Sequence, residues 1–109
     1  MAKYIVTREA QNDLDEILAF ISADDFDAAI KFYDRLLDLF RMLSENPLAG
    51  RVRDELKDGL RSFHEGNYLV FYRKWSDKIA IARVIHSARD LDELFSWIDF
   101  DRFAAGFYG

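Results

Sequence analysis

The sequence predicts an α+β domain: a short N-terminal strand and an antiparallel helical hairpin, then an antiparallel β-meander and a C-terminal helix or tail. Two observations predict this class. Apolar residues in the first half recur at the spacing of amphipathic helices, and residues 60–86 contain three β-rich runs joined by short polar turns. The chain has 109 residues, the size of one domain. We therefore expect a single domain over residues 1–99, followed by an aromatic tail over residues 100–109.

The first half of the chain predicts one strand and two helices. Lys3–Thr7 is rich in β-branched and aromatic residues, which favours a strand, and the Thr7 hydroxyl can cap the helix that follows. After a short break, Asp24 or Asp25 is expected to cap a second helix, which Asn46-Pro47 ends. Because the break is short, the helices are expected to form an antiparallel hairpin. The apolar stripe of the first helix is Ala10, Leu14, Ile17, Leu18 and Ile21, and that of the second is Ala29, Phe32, Tyr33, Leu36, Phe40 and Leu43. The polar side of the first helix carries Glu9, Asp13, Asp15 and Glu16.

The second half predicts the meander and a final helix. Gly66-Asn67 joins two of the β-rich runs and suits the positive φ of a two-residue hairpin loop. The middle run is apolar on both faces, so we place it centrally in the sheet. From Asp90 onward, apolar residues at helical spacing predict a C-terminal helix, with Asp90 and Glu93 as a capping box. The three predicted strands are Leu60–Glu65, Tyr68–Trp75 and Lys78–His86.

Composition excludes several kinds of site. The chain has no cysteine, so it has no disulfide framework, thiolate nucleophile or zinc knuckle. Its two histidines show no metal-ligand spacing, and no glycine-rich loop cradles a phosphate, so we expect neither a metal nor a cofactor. No apolar run is long enough to span a bilayer, and no secretion signal is evident. We therefore expect a cytoplasmic protein without a membrane partner.

Charge is distributed unevenly along the chain. The net charge of -5 argues against general nucleic-acid binding, which favours basic surfaces. Residues 1–50 carry five basic and ten acidic side chains, whereas residues 51–90 carry nine basic and six acidic ones. The acidic N-terminal half and the basic middle can therefore present two faces to two kinds of partner.

The stretch RVIHSARDL, from Arg83 to Leu91, contains the side chains most suited to a functional site. Strict strand alternation places Arg83 on the face of the strand's isoleucines and His86 on the face of its alanines. Arg61, Arg83, His86 and Arg89 are candidates for a cationic cluster that binds a phosphate or carboxylate, with His86 as an acid or base. Alternatively, Arg83 bonds an acidic helix residue and His86 ends its strand in solvent. Residue chemistry alone favours this alternative, because ion-pair networks commonly resemble functional sites.

Six motifs, taken in order, resemble the RelE/ParE toxin superfamily of bacterial type II toxin–antitoxin modules. The resemblance covers the chain from Tyr4 to about Phe95 and implies a helical hairpin on a small antiparallel sheet. The motifs are A..DLDEI (from Ala10), FYDRL (from Phe32), LSENPLAGR (from Leu43), ELKDGLRSF (from Glu55), GNYLVFYR (from Gly66) and IARVIHSARDL (from Ile81).

Within this superfamily, the chain is more similar to the ParE-like branch than to the ribosome-dependent messenger-RNA nucleases. Those nucleases place an arginine after the tyrosine that opens the central strand, where this chain has Leu69. They commonly carry a tyrosine near the start of the C-terminal segment, where this chain has Phe95, although Arg89 matches one of their basic positions. Without that arginine and that phenol, the chain lacks a group that stabilises transition-state charge in the nucleases and a group suited to acid/base catalysis. ParE-like toxins share GLRS, GNYLVFYR and RVIHSARD and are associated with DNA gyrase.

The resemblance therefore implies a toxin that inhibits DNA gyrase by direct binding and arrests replication and growth, without catalysis. Its expected target-binding residues are Arg61, Arg83, His86 and Arg89, with the aromatic tail as an accessory. The alternative is a ribosome-dependent endoribonuclease with Arg61, His86 and Arg89 at its active site. A third hypothesis is a degenerate toxin that retains antitoxin binding alone. We expect no sequence-specific DNA binding by the chain on its own.

The resemblance also implies a cognate ParD-like antitoxin whose C-terminal segment wraps the helical hairpin. Phe20, Ile30 and Leu37 lie off the main core stripes and are expected to form its groove, or else to pack within the hairpin. The acidic helical half suits a basic antitoxin segment, which predicts salt-sensitive association rates.

Overall fold

The fold is seen in a computed structural model that describes residues 3–89 and 107–108. A strand leads into two helices, and the chain then returns through a series of strands, as the change of apolar period predicts. The elements are β1 (Tyr4–Thr7), α1 (Arg8–Asp24), α2 (Phe26–Glu45), β2 (Arg51–Val52), β3 (Arg61–Glu65), β4 (Tyr68–Trp75), β5 (Lys78–His86) and β6 (Phe107–Tyr108).

The helical hairpin is confirmed, and both of its helices begin at the predicted kind of cap. The Thr7 hydroxyl accepts a hydrogen bond from the Ala10 amide at 3.1 Å, and Asp25 accepts one from the Ala28 amide at 3.1 Å. Each bond pairs an amide that has no partner within the first helical turn. Asp25 is the only residue between α1 and α2, so the second of the two proposed caps is the one used.

The strands form one mixed sheet in the order β2-β3-β4-β5-β1-β6. The predicted antiparallel meander is confirmed for β3, β4 and β5, and β4 lies centrally between its neighbours. β1 joins the far side of β5 in parallel, with Tyr4 opposite Ile79 and Val6 opposite Ile81. The helical hairpin provides the long crossover that a parallel pair requires.

Two strands were not expected from the sequence. β2 pairs with β3, and β6 pairs with β1. Each is two residues long, too short for alternation to be recognised. β6 falls within the predicted aromatic tail, while the C-terminal helix predicted from Asp90 lies outside the described residues.

The core lies between the hairpin and one face of the sheet. Leu36, Phe40 and Leu43 of α2 are fully buried, and Tyr72 is among the largest fully buried side chains of the sheet. Burying a large apolar side chain stabilises a fold by about 1.5–3 kcal/mol. The core cluster consists of Ala10, Leu14, Phe32, Leu36, Leu39, Phe40, Leu43, Val70, Tyr72, Ile79, Ile81 and Val84.

A β-bulge in β5 corrects the strict alternation expected for this strand. Phe71 pairs with Arg83 whereas Tyr72 pairs with Ile81, so Ala82 has no residue opposite it on β4. An extra residue shifts the side chains that follow it to the other face. Ile81 and Val84 therefore both belong to the core, and the face on which His86 was expected is wrong.

Candidate functional site

Arg83 forms an ion pair with Asp13 of α1. Its Nε and Nη2 donate to Oδ2 and Oδ1 at 2.7 and 2.9 Å, and the Val84 amide also donates to Oδ2 at 3.0 Å. The two side chains are only 14% and 13% exposed. A bidentate pair of this kind is among the stronger polar contacts in proteins. The geometry thus matches the ion-pair alternative, and a target contact through Arg83 stays a prediction.

The bulge and the N-terminus of α1 are joined by the same group of contacts. Thr7 is fully buried, and its hydroxyl donates to the Ala82 carbonyl at 3.1 Å while capping α1. Asp13 then bonds the next part of β5, two residues beyond the bulge. Asp13 was expected on the polar side of the helix, but it is largely buried because β5 turns a cation and an amide toward it.

His86 and Arg89 lie together in an exposed turn at the end of β5. The His86 Nδ1 accepts from the Ala88 amide at 3.1 Å, and the Arg89 amide donates to the His86 carbonyl at 3.0 Å. The Ser87 amide donates to the Asn67 carbonyl at 2.8 Å, which ties the turn to the β3–β4 hairpin. With Nδ1 accepting, the neutral imidazole carries its proton on Nε2. These three hydrogen bonds fix the conformation of the turn while both residues remain exposed.

Tyr68 supports this turn from the adjacent strand. Its ring contacts His86 edge-on, with ring centroids 5.3 Å apart, and contacts Phe32 of α2 at 5.2 Å. Beside it, Arg35 of α2 forms an ion pair with Glu65 at 3.3 Å. The carboxylate of Glu65 is therefore paired with a cation of α2 beside the turn.

Arg61 lies at the opposite end of the sheet from His86. Arg61 pairs with Tyr72 on β4, and His86 pairs with Tyr68. Four residues of β4 separate these positions, which corresponds to roughly 13 Å along the strand. The structure therefore brings His86 and Arg89 together but leaves Arg61 apart from them, and the four predicted target-binding residues do not form one cluster.

Arg61 belongs instead to a network around the buried Tyr72. Arg61 Nη1 donates to the carbonyls of Leu48 and Gly50 at 3.3 and 2.8 Å. The Tyr72 hydroxyl donates to the Pro47 carbonyl and accepts from the Gly50 amide, both at 2.8 Å. Burial raises the pKa of Tyr72 above its ordinary value, although the Gly50 amide and the Arg61 charge oppose this shift. This network was not predicted, because in the sequence Tyr72 is one of several apolar residues in a strand.

Position 50 requires a glycine because the chain passes so close to Tyr72. A Cβ at Gly50 would lie 2.5 Å from the Tyr72 hydroxyl and 2.9 Å from the Ser62 carbonyl oxygen. Both distances are shorter than real Cβ contacts allow, so the loop after α2 cannot approach the sheet this closely with any larger residue. The need for a glycine at this position is recognisable only once the sheet is assembled.

The helical hairpin carries an exposed apolar groove of about 270 Å³. Phe26, Ile30 and Tyr33 of α2 form one side, and Leu18 and Ala19 of α1 form the other. Phe26 is 66% exposed and Ile30 47% exposed, which costs solvation free energy unless a partner covers them. We call this surface the hairpin groove.

The three residues expected to bind antitoxin lie in three different settings. Ile30 lines the hairpin groove, and Phe20 lines a separate depression that also includes Asp24 and Asp25. Leu37 is partly buried against the core. Tyr33 was expected in the core stripe but lines the groove, and Phe26 was not singled out because a residue just after a helix cap has no periodic neighbour before it.

Two further findings concern metals and membranes. Among residues 3–89, no three histidine, aspartate or glutamate side chains gather closely enough to hold a metal ion. In the same part of the chain, neither helix has the length and apolar character needed to cross a membrane.

Comparison of the chain with known proteins identifies a family that it matches. The family model described as "ParE toxin of type II toxin-antitoxin system, parDE" matches residues 4–98. Toxin ParE3 of Caulobacter vibrioides is 29% identical over 92 residues, which cover 84% of this chain and 92% of that protein. Toxin ParE1 of Mycobacterium tuberculosis is 29% identical over 93 residues, which cover 84% of this chain and 95% of that protein.

The fold is similar to that of a solved protein structure. A chain from the solved chromosomal ParDE toxin–antitoxin system of P. aeruginosa superimposes with a TM-score of 0.66 at 23% sequence identity. The superposition covers 79% of this chain and 96% of that chain. At this identity the likeness establishes a common fold. Because the family model matches nearly the whole of the chain from β1 onward, the chain belongs to the ParE toxin family of type II toxin–antitoxin systems.

Proposed function

We propose that this ParE-family toxin acts in the bacterial cytoplasm by binding DNA gyrase, and that a ParD-like antitoxin neutralises it by covering the hairpin groove. The observation that carries the first part is the separation of Arg61 from His86 and Arg89. A nuclease that used these three residues would need them around one scissile phosphate, because transition-state charge is stabilised only at hydrogen-bonding distance.

The exposed turn at the end of β5 suits a protein contact. Hydrogen bonds hold the backbone of the turn and the His86 ring, so the partner has to order little besides the Arg89 side chain. Arg83 is already paired with Asp13, and its proposed role is to keep β5 and α1 together beneath this turn. Arg61 is then a second contact at the other end of the sheet, or part of the Tyr72 network alone.

The hairpin groove supports the antitoxin part of the proposal. It is apolar, has an open shape, and lies on the most acidic part of the chain. An amphipathic segment with apolar anchors and basic flanks complements both properties. The charge difference also accelerates encounter, so association should slow as salt is added.

Two assays run side by side test the target. Purified toxin is added to gyrase in a DNA supercoiling assay and to ribosomes translating a defined message, and the cleavage of that message is measured. We expect supercoiling to be inhibited and the message to stay intact. Arg89→Ala should weaken the inhibition by about ten-fold, as loss of one charged interface contact does, whereas Arg41→Ala on the exposed side of α2 should not.

Three outcomes contradict this proposal. Cut messages with unaffected gyrase would establish the endoribonuclease alternative. Absence of both activities, together with normal growth on expression, would indicate a degenerate toxin that only binds antitoxin. Equal loss of gyrase inhibition in Arg89→Ala and Arg41→Ala would remove the β5 turn from the interface.

A further inference from the structure

A second concave surface lies at the Arg61 end of the sheet, away from the β5 turn and the hairpin groove. It is a cavity of about 320 Å³ between the loop after α2 and the ends of β3 and β4. Three cationic residues line it, Arg61, Arg73 and Lys74, together with the apolar Pro47 and Leu48. We call this surface the basic cavity.

The positive charge of the basic cavity is not neutralised within the described part of the chain. None of the ion pairs found there includes Arg61, Arg73 or Lys74. Among the described residues, Arg61 donates through Nη1, and both acceptors are neutral carbonyls. A guanidinium has five N–H donors, so Arg61 keeps donors for an anionic ligand after its contacts to the loop.

The wall of the cavity is preformed. The Tyr72 hydroxyl is occupied on both sides, by the Gly50 amide and the Pro47 carbonyl, and Arg61 ties the same loop to β3. A loop held by four hydrogen bonds needs little rearrangement when a ligand binds. At the rim, the Leu48 side chain is 77% exposed, which gives the cavity an apolar lip beside its cations.

We propose that the basic cavity binds a protein partner through an acidic side chain and an apolar side chain two residues apart in an extended segment, because side chains with this spacing point to the same face. Charge complementarity selects the acid, because three cations surround a space with no carboxylate among the described residues. Leu48 and Pro47 select the apolar side chain. The inference does not depend on gyrase being the target, since Arg73 and Lys74 take no part in the β5 turn.

Nucleic acid fits this surface less well than an acidic peptide. A DNA backbone presents a row of phosphates and is bound by a broad basic surface, with each contact adding to a steep salt dependence. The basic cavity is a local concave site of about 320 Å³ with three cations, and the chain as a whole carries a charge of -5, which repels a polyanion. A single carboxylate avoids most of that long-range repulsion.

Fluorescence anisotropy with the full chain tests the proposal. The probe is a labelled peptide of about twelve residues in which leucine and glutamate take turns at every second position, with serine between them. We expect saturable binding that is about ten-fold weaker for R73E and for K74E, while K31E on α2 binds as the wild type does. A matched peptide with glutamine in place of glutamate should bind about ten-fold more weakly to the wild type.

Competition and titration with other anions complete the test. Inorganic phosphate and a short DNA duplex are titrated against the peptide complex at constant ionic strength. The proposal is overturned if the glutamine peptide binds equally well, if K31E weakens binding as much as R73E, or if no saturable binding is seen. Displacement by the duplex at lower concentration than by unlabelled peptide would assign the cavity to nucleic acid instead. If R73E alters the far-ultraviolet circular dichroism, R73Q replaces it and the same ordering is expected.

Discussion

The hairpin and the sheet use their unusual side chains in opposite ways. On the hairpin, Phe26 and Ile30 are apolar and exposed, and neither belongs to the core cluster. On β5, Arg83 is charged and largely buried, and the fold needs it because Asp13 is buried opposite. A patch of apolar residues in solvent is a surface suited to a partner, whereas a paired charge in the interior is already satisfied within the fold.

Functional and structural residues of the same type can be separated by their surroundings in a toxin of this size. Arg83 and Arg89 are six residues apart in one motif, yet one is bonded within the fold and the other is exposed at a turn. Residue type does not distinguish them. Their surroundings do, because the free energy of a charge depends on whether water or a carboxylate surrounds it.

The largest expected effect on folding comes from breaking the ion pair of β5. Arg83→Ala leaves the Asp13 carboxylate largely buried with only the Val84 amide as partner, so the free energy of unfolding should fall by about 3 kcal/mol. Urea denaturation measures this change. Arg41→Ala is the matched control, because its pair with Asp38 is exposed and contributes less than about 0.5 kcal/mol. If Arg83→Ala unfolds like the wild type but no longer inhibits gyrase, then Arg83 is a target contact, and its assignment as a structural residue is wrong.

A smaller effect is expected at the Tyr72 network. Tyr72→Phe removes the donor to the Pro47 carbonyl and leaves the Gly50 amide without its acceptor, which should cost about 1–3 kcal/mol in the free energy of unfolding. Tyr33→Phe in the hairpin groove provides the control, because this tyrosine is partly exposed and outside the network.

The same network predicts a dependence on alkaline pH. Burial raises the pKa of Tyr72 above the value of the unfolded chain, so the protonated phenol stabilises the fold fully below about pH 10. That stability is lost as the pH rises through the raised pKa of the folded state. Unfolding measured from pH 8 to 11 should therefore converge for the wild type and Tyr72→Phe. A constant difference across this range would show that the pKa of Tyr72 is the same in the folded and unfolded states, and that burial does not raise it.

The smallest effect on folding, and a large effect on binding, is expected in the hairpin groove. Ile30→Glu should change the free energy of unfolding by less than about 1 kcal/mol, because the side chain is already half exposed. Antitoxin affinity should fall by about a hundred-fold, since a carboxylate enters an apolar contact. Val52→Glu on β2 is a closely matched control, as Val52 is 48% exposed and outside the groove.

Isothermal titration with the cognate antitoxin measures both variants, and stopped-flow mixing at several salt concentrations measures the rate. We expect the wild-type association rate to fall as salt rises, because an acidic hairpin attracts a basic segment. Equal loss of affinity in the two variants would place the antitoxin on both the hairpin and the sheet edge. An association rate that does not change with salt would show that charge attraction does not drive the encounter, and that the groove binds its partner through apolar contacts.

Much of the fold was predictable because its signals are local. The caps Thr7 and Asp25, the apolar stripes and the turn at Gly66 are each read from a few neighbouring residues. β2 and β6 were missed because two residues carry no period. The parallel placement of β1 was missed because alternation does not specify which strand is a neighbour.

The candidate surfaces were less predictable than the elements that carry them. His86 and Arg89 lie together in the structure, and their part in target binding stays a prediction. Arg61 was grouped with them because the sequence does not show the strand register that separates them. The exposure of Phe26 and the shape of the basic cavity depend on which faces the two layers leave uncovered.

Local signals in the sequence were enough to predict β1, α1, α2 and β3 to β5, the capped hairpin, the absence of cysteine chemistry and a ParE-like family. Tertiary packing is what pairs Arg83 with Asp13, a residue 70 positions away, and what introduces the bulge at Ala82 that moves His86 to the face of Tyr68. The reason is physical. Propensity and period arise from each residue's own backbone and its near neighbours, whereas register, burial and charge pairing exist only after distant segments have packed together.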